Sequence, residues 1–196
     1  GLAFGTAMLA KFAAIYALVG LLLVYVHGHM TRQKLFDWRD ISVALLAFCL
    51  AASPNIIWNF VNEFSTVRHL GDNANISQQS ASMAGVWQFI GGQFAVAGPV
   101  VLLFMVIAAI THWRDHKSRW LIWMSAPVLA LMITQSYLSE ANANWAMTAF
   151  PALTILLAGW LSKMQNRRYG IVAIGINFGL SLMVLMVTIA GSLGPF

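Results

Sequence analysis

The stretch that decides the fold is residues 121–161: LIWMSAPVLALMIT (121–134), the link QSYL, SEANANWAM (139–147), then TAFPALTILLAGWL (148–161). Two apolar runs flank nine residues that carry Glu140, Asn142, Asn144 and Trp145, with no glycine, proline or positive charge among them. Crossing the roughly 30 Å hydrocarbon layer takes about 20 mostly apolar residues in a helix. Strands of a membrane barrel would alternate with period two, and these runs do not. The stretch therefore reads as two membrane-crossing helices joined by a polar turn, and the fold class as an all-α transmembrane bundle.

The rest of the chain extends this pattern. Of 196 residues, 60% are hydrophobic and 9% charged, against about 25% charged in a soluble domain. Six spans are expected, at 2–27, 41–59, 89–111, 120–138, 147–162 and 170–191. The fifth is short, but Trp145 and Trp160 suit the two interfaces. Pro54, Pro99, Pro127 and Pro151 fall within or beside spans and read as kinks. The long connection 60–88 is expected to hold a surface helix, with Val61, Phe64, Val67 and Leu70 at helical spacing. No linker, repeat or second domain is visible, so residues 1–196 read as a single transmembrane helical domain.

Charge placement gives an orientation. Arg32, Lys34, Arg39, Arg114, Lys117, Arg119, Lys163, Arg167 and Arg168 are nine of the eleven basic residues, and they occupy alternate connections. Basic residues accumulate in cytoplasmic loops. Residues 60–88 and 139–146, which hold only Arg68, are therefore expected on the opposite, periplasmic side. The net charge of +5 reports orientation, and no nucleic-acid partner is implied. Lys11 lies sixteen residues before His27, about 24 Å along a helix axis, near the non-cytoplasmic interface. It reads equally as a side chain snorkelling to headgroups or as a functional cation.

Sorting polar groups by side locates the chemistry. The non-cytoplasmic side collects Lys11, Asn59, Glu63, Arg68, His69, Asp72, Asn73, Asn75, Gln93, Glu140, Asn142 and Asn144, with Trp58, Trp87 and Trp145. Carboxylates, amides and indoles are the material of carbohydrate sites, and cations hold phosphate. Each has a plainer reading: the tryptophans suit an aromatic belt, and the loop RHLGDNAN (68–75) suits a polar turn. His27, His29, His112 and His116 read as interfacial residues on the cytoplasmic side, and Cys49 as packing. No nucleophile with a base, glycine-rich phosphate loop or metal-ligand spacing appears, so no metal or cofactor is called for. Spans almost free of ionisable groups argue against a transporter.

Four segments together carry a family resemblance. GLAFGTAMLAKF (1–12) resembles a GLxxGLAxLSKY segment, PNIIWNFVNEFSTVRHLGDNAN (54–75) a PxxxWN helix end with its following loop, FIGGQFAVAGPVVL (89–102) an FxGxQxxxxGPxL segment, and ANWAMTAFPAL (143–153) a late ANW motif. In this order they resemble bacterial membrane glycosyltransferases of the protein mannosyltransferase and aminoarabinose transferase type, the GT-C class. The resemblance implies transfer of a sugar from a polyprenyl-phosphate carrier to a lipid or glycan at the periplasmic face of the bacterial inner membrane. It places Lys11 and Arg68 at the carrier phosphate, with Ala10 and Phe12 replacing the family's usual serine and tyrosine. His69, Asp72, Asn73, Gln93, Glu140, Asn142, Asn144 and Trp145 fall at the sugar or orient its loops. The family's catalytic carboxylate lies in an early periplasmic loop with no counterpart here, so the chain reads as the C-terminal membrane half of a larger protein, with no catalytic residue of its own. The alternative is a non-catalytic structural subunit of a membrane complex, derived from such an enzyme. The partners expected are membrane lipids and the carrier, joined on the alternative by other subunits of the complex.

Overall fold

The computed structural model describes residues 1–33, 36–66, 68, 71, 81–139, 141–164 and 168–192. Helix α1 (Leu2–Ala10) stops at Lys11, whose backbone is extended (φ −159°, ψ 125°). A 3₁₀ turn (Phe12–Ile15) then leads into α2 (Tyr16–Met30). Helix α3 (Trp38–Val61) opens on a reciprocal cap, the Asp37 and Asp40 side chains each accepting from the other's end of the first turn. Helix α4 (Met83–Ala97) is capped by Ser82 and followed, across Gly98 alone, by α5 (Pro99–His112). Helix α6 (His116–Leu138) starts at the Asp115 cap. A second 3₁₀ turn (Ala143–Ala149) leads into α7 (Phe150–Lys163), and α8 (Arg168–Ser192) closes the order.

Five helical stretches are long and apolar enough to cross a membrane: Phe12–Met30, Trp38–Val61, His116–Leu138, Ala143–Lys163 and Arg168–Val187. The α4–α5 pair, bent by 104°, makes a sixth if it crosses as one broken span rather than as a re-entrant loop. There is no strand among the described residues. The chain is thus an all-α, multi-pass helix bundle.

Three expected elements differ in detail. The first span, 2–27, is broken at Lys11, and α1 packs on α3. The third, 89–111, is two helices. Gly98 has φ +81°, a region open to glycine, and Pro99 has no N–H to continue α4 but suits the first turn of α5. The surface helix does not begin at Val61, because α3 ends there and Glu63 and Phe64 are left-handed (φ 51° and 56°). Helical backbone resumes at Ser65, Thr66 and Arg68, while Val67 and Leu70 lie outside the described residues.

Helix α6 is the hub, packing against α2, α4, α5, α7 and the second 3₁₀ turn. Met105 and Ala108 of α5, Ile122 of α6, and Leu153, Leu156 and Leu157 of α7 form one buried cluster. Phe89, Met132 and Ala146 form another, with Tyr16 and Trp145 against it. Lipid tails are as apolar as leucine, so close packing rather than dehydration holds such helices together. Gly20 shows what this demands: a Cβ there would lie 2.8 Å from the Cα of Met124, so only glycine lets α2 lie this close to α6.

Candidate functional site at the asparagine turn and the α1–α3 groove

The late ANW segment folds as the 3₁₀ turn. Asn142 is extended (φ −66°, ψ 136°) and its carbonyl accepts from Trp145 N–H at 2.9 Å. Asn142 and Asn144 are exposed, Trp145 is half-buried against the Phe89–Met132 cluster, and Ala146 and Ala149 are buried. A 3₁₀ turn leaves carbonyls without α-helical partners, and two side chains from neighbouring helices take them. Gln93 Nε2 of α4 donates to Ala143 O (3.1 Å) as well as to Phe89 O (3.1 Å). Ser125 Oγ of α6 approaches Ala149 O (2.9 Å) and Leu121 O (3.0 Å). The turn is therefore pinned at both ends, leaving its two amides free to face outward.

Gln93 is 6% exposed, and its Oε1 has no hydrogen-bond partner. A glutamine at this depth is held by what its amide binds, so its place is orientation of the turn. Gly92 keeps the backbones close, since a Cβ there would sit 2.7 Å from Ala143 Cβ.

A second feature lies between α1 and the end of α3. Met8, Leu9, Phe12, Phe48, Ala52, Asn55, Ile56, Asn59, Phe60 and Phe64 line an apolar groove of about 200 Å³. Its wall is set by Asn59, 6% exposed, whose Nδ2 donates to Asn55 O and Oδ1 (both 3.0 Å) and whose Oδ1 accepts from Thr66 N–H (3.3 Å). Lys11 is exposed at the break, between the lining residues Leu9 and Phe12. Arg68 is joined to the opposite wall, its N–H donating to the carbonyl of Phe64 (3.1 Å). The guanidinium stands 3.4 Å from Glu63 Oε2, with both side chains more than two-thirds exposed. Such a pair is worth little in water, so Arg68 keeps most of its capacity for another anion.

The two features meet. The 3₁₀ turn that follows Lys11 touches the asparagine turn, and Tyr16 packs on the cluster beneath Trp145. Gln93 and Trp145 thus support the asparagine turn, Lys11 immediately precedes the 3₁₀ turn that touches it, and Arg68 joins the groove wall at Phe64. His69, Asp72, Asn73 and Glu140 lie outside the described residues. His27 and His116 stack at 5.9 Å at the other end of α6 from this site. Among the described residues no three His, Cys, Asp or Glu side chains converge as a metal site. Sequence reasoning missed Ser125 and Asn177. Asn177 Nδ2 donates to Ala97 O at 3.2 Å across the α4–α5 break, and the readable signal was an amide in the middle of an otherwise apolar span.

Fold, motif order and kinship agree on a class: the chain belongs with the membrane glycosyltransferases of the GT-C type. It is 32% identical over 192 residues, 96% of its length, to the lipid A galacturonosyltransferase RgtD of Rhizobium johnstonii. The match spans 40% of that protein's length. No family model and no solved structure matches the chain.

Proposed function

We propose that this chain is the carrier-holding and sugar-holding portion of a membrane glycosyltransferase, which takes its sugar from a polyprenyl-phosphate donor at the periplasmic face of the bacterial inner membrane. One observation carries the reading: an apolar groove with Lys11 and Arg68 at its sides adjoins a pinned turn that presents Asn142 and Asn144. The prenyl tail lies along the phenylalanine-lined groove, and the two cations meet the phosphate through charge-assisted hydrogen bonds. When an acceptor hydroxyl attacks the anomeric carbon, the bond to the carrier phosphate breaks and negative charge grows on that leaving oxygen. Fixed cations beside it lower the barrier.

The Asn142 and Asn144 amides donate to and accept from sugar hydroxyls, while Gln93 and Trp145 hold their turn in place. Glu140, His69, Asp72 and Asn73 belong to the connections that border this turn and the groove, and complete the sugar side. The carboxylate that receives the acceptor's proton comes from the remainder of a longer enzyme. The named relative supports a galacturonic-acid-type sugar and a lipid A-like acceptor. Concentration of nine of eleven basic residues in alternate connections supports the periplasmic placement.

The test is binding of polyprenyl phosphate to the full-length enzyme in lipid nanodiscs. Lys11→Ala and Arg68→Ala are each expected to weaken binding about tenfold, the scale of an exposed charge-assisted contact. Unchanged affinity in both variants would remove the carrier role and leave the structural-subunit alternative standing.

A further inference from the structure

Helices α4 and α5 meet at 104° with one residue between them. Such a break in a bundle at membrane depth frees backbone carbonyls that no water can satisfy, so another group of the protein must bind them. Pro99 has no N–H to offer, and the α5 ladder begins with Leu102 N–H donating to Gly98 O (2.9 Å). Ala97 O receives instead the Nδ2 of Asn177 at 3.2 Å, from α8, which packs on α5. Asn177 lies nine residues into α8, about 14 Å along its axis from Arg168, where an amide is costly unless bound. Its carboxamide lies directly against Gly98, filling the space that a Cβ would need. Its Oδ1 has no partner, so the Nδ2 bond alone anchors the amide.

Beyond the bend, α4 carries Gln93, which holds the Ala143 carbonyl of the asparagine turn. A chain of contacts therefore runs from Asn177 through Ala97, α4 and Gln93 to the turn. We propose that Asn177 is a positioning residue that holds the α4–α5 bend and thereby keeps α4 seated on the turn that presents Asn142 and Asn144. Its consequence for turnover rests on the glycosyltransferase reading above, but its effect on position does not.

The experiment uses the full-length protein in nanodiscs, with Cys49→Ser and other free thiols removed, carrying Gly92→Cys and Ala143→Cys. A Cβ at position 92 would lie 2.7 Å from that of Ala143, below the roughly 3.5–4.5 Å of a disulfide, so the pair must part slightly to bond, and every variant carries it so that this shift is common to all. Rates of cross-linking are divided by that of the Asn177 parent at the same pH. Asn177→Leu keeps the volume but removes the donor, and its cross-linking is expected to slow about tenfold, the upper range for one lost hydrogen bond. Asn177→Gln keeps a carboxamide donor on a stem one carbon longer and is expected to cross-link faster than Asn177→Leu.

In sugar transfer without the added cysteines, Asn177→Leu lowers kcat and leaves KM for the carrier unchanged, because the groove is not touched. Parent-like cross-linking in Asn177→Leu overturns the proposal, as does an Asn177→Gln variant that cross-links no faster than Asn177→Leu. Because cross-linking reads position without turnover, a parent that cross-links but transfers no sugar counts against the glycosyltransferase reading alone.

Discussion

The packed α1–α3 pair, here the hairpin, and the α5–α6–α7 body are both built from apolar sequence and treat it in opposite ways. The most apolar 18 residues of Trp38–Val61 have a mean hydropathy of 1.9 with 6% of them buried, whereas those of Ala143–Lys163 have 1.4 with 33% buried. The more apolar helix is the less buried one. In water this would be an inversion; in lipid it follows, since an outward leucine costs nothing and the interior is selected for fit. The buried positions of the body and of the helices packed on it include Ser125 and Ser136 of α6, Gly20 of α2 and Gln93 of α4, all small or hydrogen-bonded. The hairpin, held by α1 on α3, borders the apolar groove. A rigid body that holds a polar turn and a looser hairpin that opens an apolar cleft suit the two ends of one amphiphilic ligand.

The largest test of this contrast is Met132→Ala. Met132 is 1% exposed beneath the asparagine turn, and such truncations cost about 2–5 kcal/mol, read as a lowered unfolding midpoint in detergent. Leu46→Ala on α3, 62% exposed, is expected to change stability by less than about 0.5 kcal/mol. Equal losses would mean that the hairpin is packed as tightly as the body.

Gln93→Leu comes next. It removes the donor to Ala143 O and to Phe89 O, leaving a buried carbonyl unpaired at a cost of about 1–3 kcal/mol. Sugar transfer should fall further than stability, because the turn that carries Asn142 and Asn144 loses one of its two pins. A variant that is destabilised yet turns over normally would separate the turn from the chemistry.

Phe48→Ala probes the other region. Phe48 lines the groove and stacks on Phe4 with ring centres 5.4 Å apart. Its removal is expected to lower polyprenyl-phosphate affinity about fivefold, the worth of one aromatic contact of ~1 kcal/mol, with little change in unfolding. Affinity held constant would place the tail elsewhere.

Much of this architecture was legible because hydropathy is a property of whole segments. The apolar runs flanking residues 139–147 gave two helices, and the ANW segment between them became the turn at the centre of the site. The breaks were less visible, since Lys11 and Gly98 interrupt runs whose average hydropathy is high enough for a single span. Gly98-Pro99 was the readable exception: glycine just after a helix and proline at the start of the next is a stop followed by a start, which a kink reading underestimates. Gln93 was identified by its place in a motif, but its partner, the carbonyl of Ala143, is fifty residues away and sets its role. Asn177 belongs to no quoted motif, and only the bend that it faces gives it meaning.

The smallest effect belongs to the cap of α6, at the end of the body remote from the turn. Asp115 is held below its ordinary value of 3.8, first by the Ser118 hydroxyl and then by the Ser118 N–H, both of which donate to its carboxylate. A depressed folded value means that its contribution is complete above the unfolded value and is lost as pH falls through the folded one. The start of α6 should therefore be insensitive to pH down to about 4 and fray below it, read as faster amide exchange at Ser118 and Arg119. Asp115→Asn keeps an accepting cap oxygen and should abolish that pH dependence while leaving the cross-link between positions 92 and 143 unaffected. If the cross-link responds as well, the two ends of α6 are coupled, and the body does not confine a disturbance of its cap to one end.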